Sequence, residues 1–165
     1  MDMRNEMMYS QHTFTYLSLR KAVGLIGMLL PFMLMLGNSI IYKGAPVLRS
    51  ISVYYYSPMR DVFVGALCTM AAFLFFYSGD GRRDRRAGIL AGFLMLGVVL
   101  FPTTLEGTRD WIGWMHYAFA GPLFLHLAWI AIFRFPKKPS GAKIETTDKI
   151  QITCGLIMIA CAIAV

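Results

Sequence analysis

The chain has 165 residues, 57% of them hydrophobic and 15% charged, with a formal net charge of +7. Soluble domains carry about 25% charged residues, and long apolar stretches leave no room here for one, so residues 1–165 read as a single membrane domain. The positive charge does not indicate nucleic acid, because the basic residues lie in gaps between apolar stretches, where membrane topology already puts them.

Five uncharged stretches follow in chain order: Ala22–Tyr42, Val62–Tyr77, Ala87–Leu105, Trp111–Phe133 and Ile150–Val165. A bilayer core needs roughly 17–25 apolar helical residues. The first, third and fourth stretches meet that length; the second does so with Ser78 and Gly79. The last reaches only about 24 Å at 1.5 Å per residue. The expected fold is an all-α transmembrane bundle of five spans, at 22–42, 62–79, 87–105, 111–133 and 150–165. The first span does not read as a cleaved signal, since it is longer than an h-region and lacks a small-residue cleavage site. The apolar ending at Val165, with no polar cap, leads to the expectation that the native chain continues.

Pro31 in span one and Gly121-Pro122 in span four predict kinks, because proline removes a backbone donor and crowds the preceding turn. Gly88 and Gly92, beside Ala87 and Ala91, let span three approach a neighbouring backbone, most simply within the same molecule. Cys68, Cys154 and Cys161 fall inside spans and read as small buried packing residues. The run Arg82–Arg86, with Asp80 and Asp84, reads as a solvated inner loop that can touch anionic lipid headgroups.

Orientation follows from the basic residues. Arg4, Arg20, Lys21, Arg82, Arg83, Arg85, Arg86, Arg134, Lys137, Lys138, Lys143 and Lys149 share one side; Lys43, Arg49, Arg60 and Arg109 share the other. The loops are short, the regime in which the positive-inside rule holds. The N-terminus is therefore expected in the cytoplasm, with the protein multi-pass in the cell membrane.

This orientation sends a polar group to the outer face. Asn38 lies near the outer end of span one, and the first outer gap holds Ser52, Tyr54, Tyr55, Tyr56, Arg60 and Asp61. Glu106 lies in the second outer gap and His116 about 7–8 Å along span four. Ser50–Ser57 is β-prone. Asp61 is placed to cap the second span, and Arg60 to pair with it or with Glu106. Polar groups converging over an apolar pocket are the default ligand site, so this set is the candidate binding cluster. Its expected ligand is a lipid, a small amphiphile or a partner subunit, which includes a second copy of the chain. No cofactor is implied.

His116 and His126 are ten residues apart, about 15 Å and roughly 80° around a helix, and do not share a metal ion. The chain has no HxxxH, HExxH or CxxC pattern. His126, placed near the bilayer centre, is expected to face other helices and donate a ring N–H to the Ala118 carbonyl or to a neighbouring helix, with Thr69 one partner at similar depth.

The run Tyr54–Gly65, which includes MRDVFVG, and the segment GVVLFPT at Gly97–Thr103 resemble a prokaryotic family of small polytopic membrane proteins, the domain of unknown function 998. The resemblance covers most of residues 50–135. It implies a six-helix membrane fold, with a sixth span beyond Val165, and no particular reaction. Ser52, Asp61 and His116 also loosely resemble the set that alkaline ceramidases and their receptor relatives arrange around intramembrane zinc. That likeness implies metal-dependent hydrolysis, but lacks the family's paired histidines. A small transporter is a further alternative; it would need a polar route inward, and Thr69 is the one polar side chain in the inner halves of spans one to three.

Overall fold

The computed structural model describes residues 3–44, 46–77, 81–105, 110–134 and 146–164, with backbone only at 3–20, 134 and 162–164. Its elements are helix α1 (Met3–Ile41), a 3-10 helix (Ile51–Tyr56), α2 (Arg60–Phe76), α3 (Arg82–Leu100), α4 (Trp111–Trp129) continued by a π turn (Ile130–Arg134), and α5 (Thr146–Ala164). The fold is all-α, with no strand among the described residues. Among the described residues two helical segments, Lys21–Ile41 and Trp111–Phe133, are long and apolar enough to cross a membrane.

Local chemistry moves several boundaries away from the sequence expectations. α3 starts at Arg82 rather than Ala87, because arginine is a good helix former; the expected inner loop Arg82–Arg86 is helix. The same helix stops at Leu100 rather than Leu105. Pro102 disfavours helical geometry at the residue before it, and Phe101 is extended, at φ −111° and ψ 93°. The β-prone segment after Ser50 is a 3-10 helix, since no strand is available among the described residues to take its backbone hydrogen bonds. α1 and α4 run through Pro31 and Pro122 without a break in helix.

The chain forms two compact units, 1–70 and 71–165. In the first, α1 ends with Lys43 in the left-handed region at φ 45°. The Gly44 amide then reaches back to the Ser39 carbonyl at 2.8 Å, the six-to-one bond of a Schellman stop. Leu30 and Leu34 lie one turn apart on α1 and share a core with Tyr54, Met59 and Phe63. Residues spaced by four line one helix face, which is why Met59 and Phe63 meet the same core.

In the second unit, α3 presents Gly88, Ala91 and Gly92, all buried, to the last turns of α2. A Cβ on Gly88 would come within 2.8 Å of the Leu74 carbonyl, and one on Gly92 within 3.0 Å of the Ala71 carbonyl. Only hydrogen at these positions permits that backbone approach, so the small-residue face is used within the molecule. α4 lies antiparallel against α3, and α5 packs on α4 and its π turn. The cysteines depart from expectation: Cys68 is half-buried, while Cys154 and Cys161 are exposed. Cys154 and Cys161, seven residues apart on α5, share one exposed helix face.

Candidate functional site

Tyr54, read from sequence as a ligand contact, is a core residue at 1% exposure. A buried phenol requires a partner, and its oxygen accepts from the Leu48 amide at 3.3 Å. The neighbouring Ser57 hydroxyl donates to the Tyr54 carbonyl at 2.8 Å and accepts from the Met59 amide at 3.1 Å. That arrangement ties the 3-10 helix to the start of α2. Ser57 thus supplies the side-chain contact at the α2 entry, whereas Asp61 lies exposed in the first turn of that helix.

Arg60 binds neither Asp61 nor any other acid among the described residues. Its Nη2 donates to the Tyr55 hydroxyl at 2.7 Å, and its guanidinium carbon lies 4.4 Å from the Tyr55 ring centre. A planar cation stacks on an aromatic face readily, and Tyr55 is five residues away along the chain. Tyr56 packs edge-on against Tyr55 at 5.2 Å and is exposed. Ser52 is half-buried in the 3-10 helix, and Asn38 is buried near the end of α1. Glu106 lies outside the described residues. Asn38, Ser52, Tyr54–Tyr56, Arg60 and Asp61 therefore occupy the first unit and His116 the second.

His116 is buried, and its Nδ1 donates to the Phe101 carbonyl at 2.8 Å. A carbonyl has no proton to give, so the ring nitrogen must carry the hydrogen. Phe101 follows the end of α3, where terminal carbonyls lack helical partners. The histidine is thus a strut between α3 and α4. Its ring meets Tyr117 edge-on at 5.7 Å, and between the same two helices Phe119 stacks on Phe101 at 5.5 Å and meets Phe93 edge-on at 5.9 Å. Gly97 makes this possible, because a Cβ there would overlap the Phe119 ring.

His126 makes the equivalent contact at the other end. Its Nε2 donates to the Ala87 carbonyl at 2.9 Å. A partner on a neighbouring helix was expected, but it is neither Ala118 nor Thr69; the Thr69 hydroxyl donates to Gly65 of its own helix at 2.8 Å. Ala87 stands one residue past the arginine run, so His126 is level with the basic end of α3. Trp129, one turn on, stacks against it at 5.7 Å.

Around this contact lies a shallow cleft of about 380 Å³ lined by Arg83, Arg86, Ala87, Leu90, His126 and Trp129. The intervals of three and four between Arg83, Arg86 and Leu90 put them on one face of α3, and the interval of three aligns His126 with Trp129. This spacing was readable in the sequence, but the partnership of the two faces was not. Among the described residues no three His, Cys, Asp or Glu side chains are grouped to hold a metal ion. At the level of class, this is an all-helical chain in which, among the described residues, two helices are long and apolar enough to cross a membrane. No family model, curated protein or solved structure matches it.

Proposed function

We propose that this chain is a multi-pass protein of the cell membrane with a cytoplasmic N-terminus and five spans, related to the small polytopic family its MRDVFVG and GVVLFPT segments resemble. Its role is binding rather than catalysis, with a lipid or small amphiphile as ligand. One observation carries the reading: the two apolar helices are mostly uncovered. Only 17% of the Lys21–Ile41 window and 28% of the Trp111–Phe133 window are buried. A core helix of a soluble protein would be largely enclosed, and soluble proteins rarely expose apolar patches above a few hundred Å². Here Leu25, Met28, Phe32, Leu36, Trp114 and Phe124 are all exposed, as lipid-facing side chains are. A secretory signal would not be expected to share a core with the chain after it, whereas Leu30 and Leu34 do so with Tyr54 and Phe63.

The outer ligand group in this reading is Tyr55, Tyr56, Arg60 and Asp61, with Tyr54 as the buried anchor that holds their segment. The exposed Tyr56 ring and the Arg60 guanidinium suit an amphiphile with an anionic or polar head. The test uses single cysteines in a cysteine-free background on intact cells. A membrane-impermeant maleimide should modify Ser52→Cys and spare Gly81→Cys, with the protein retained in membranes after alkaline washing. Labelling of Gly81→Cys alone overturns the orientation, and release by the wash overturns membrane insertion.

A further inference from the structure

The cleft between α3 and α4 belongs to the other end of the molecule's charge pattern. Arg83 and Arg86 line one wall, in the first two turns of α3, with Arg82 and Arg85 beside them. Positive side chains are unfavourable at a helix N-terminus, where the backbone already presents partial positive charge. Asp84 is the single acid in that first turn, and among the described residues neither Arg83 nor Arg86 has an acidic partner. Four arginines in five positions therefore leave a local excess of positive charge that an anion would relieve.

The remaining walls are apolar or aromatic. Leu90 lies one turn deeper than Arg86, and the Trp129 ring stands on the facing helix, stacked on His126. His126 is held in place by the Ala87 carbonyl, so the floor of the cleft is fixed. α4 then changes to a π turn at Ile130, directly after Trp129. The cleft thus has two arginines and the Trp129 ring toward the start of α3, and the apolar Leu90 one turn further along that helix. That order matches a phosphate joined to a hydrocarbon chain.

We infer that this cleft binds the phosphate headgroup of an anionic phospholipid of the cytoplasmic leaflet, with Arg83 and Arg86 holding the phosphate, Trp129 beside the headgroup and Leu90 flanking the first part of the acyl chain. The inference rests on the membrane placement and orientation proposed above, and is independent of the outer tyrosine group. Guanidinium groups pair with phosphate oxygens through directed N–H donors. Trp at membrane interfaces sits at headgroup level for the same amphipathic reason.

Native mass spectrometry of the full chain, released from detergent in the presence of phosphatidylglycerol, phosphatidylcholine or inorganic phosphate, tests it. The wild type should retain phosphatidylglycerol over phosphatidylcholine. Each juxtamembrane basic residue near an anionic surface contributes about a fivefold factor, so R83Q/R86Q should weaken retention by about twenty- to thirtyfold. R82Q/R85Q removes the same charge from the same turns but leaves the cleft lining intact, and should change retention by less than about fivefold. Equal loss in both variants means diffuse attraction and overturns the site. Displacement of phosphatidylglycerol by millimolar inorganic phosphate, with no preference for the lipid, makes a soluble phosphate the ligand and overturns the lipid assignment. A protein that resists alkaline washing but shows no selectivity refutes the cleft alone; one that is washed off refutes the membrane reading itself.

Discussion

The two ends of the α3–α4 pair carry the same bond in different surroundings. At one end His116 Nδ1 donates to the Phe101 carbonyl, and at the other His126 Nε2 donates to the Ala87 carbonyl. His116 is buried at 4% exposure, its ring edge-on to Tyr117. His126 is half-buried and opens onto a cleft with two arginines. A histidine bonded to a backbone carbonyl across helices is thus a structural device in both places. What surrounds the ring decides whether the site is only a strut or also the floor of a binding surface. At the closed end the histidine is buried and Phe93, Phe101 and Phe119 pack on one another between α3 and α4; at the open end the histidine lines a cleft bounded by long charged side chains that can move aside.

The largest effect should come from filling the space the closed end depends on. Gly97→Leu would drive a side chain into Phe119, which is held between Phe93 and Phe101 and has nowhere to retreat. Overpacking of that kind costs about 3 kcal/mol, read as a lower denaturation midpoint in an SDS titration of the purified protein. Lipid retention at the far end should survive in whatever fraction stays folded. A wild-type midpoint would mean that the aromatic stack is loose and the two ends are alike.

Next come the histidines themselves, compared in parallel. His116→Leu removes a buried donor and leaves the Phe101 carbonyl without it, at a cost of about 2 kcal/mol. His126→Leu should cost only about 1 kcal/mol, the ordinary size of an interhelical hydrogen bond in a membrane, and should leave assembly intact. Equal losses, measured in the same titration, would erase the distinction between strut and cleft floor. The smallest change concerns the entry to α4, where the Asp110 carboxylate accepts from the Gly113 amide at 2.9 Å. Asp110→Ala should cost about 1 kcal/mol and Asp110→Asn much less, since asparagine also caps well. If Asp110→Asn is as damaging as Asp110→Ala, the charge of Asp110 acts elsewhere.

How far the sequence could be read differs along the chain. The apolar runs around Ala22–Tyr42 and Trp111–Phe133 identify their helices because an uncharged stretch of that length has few other stable forms. The small residues at 88 and 92 announce a close contact because glycine spacing is a local property. Ser50–Tyr56 misled because aromatic and β-branched residues fit any half-buried surface, and their preference yields where no strand can pair with them. The outer cluster was legible as residue types but not as partners: Arg60 turned to Tyr55, five positions away, and Tyr54 turned inward.

By itself the sequence determined the helical class, the approximate position of the apolar helices and the asymmetric distribution of charge, because each depends on composition over a window or on neighbours along one helix. Only tertiary structure decided which carbonyl each histidine meets and which faces of α3 and α4 enclose a cleft. Those depend on the rotation and offset of two helices joined by a loop. A shift of one residue turns a helix by about 100°, enough to exchange Arg83 for Asp84 at the wall of that cleft.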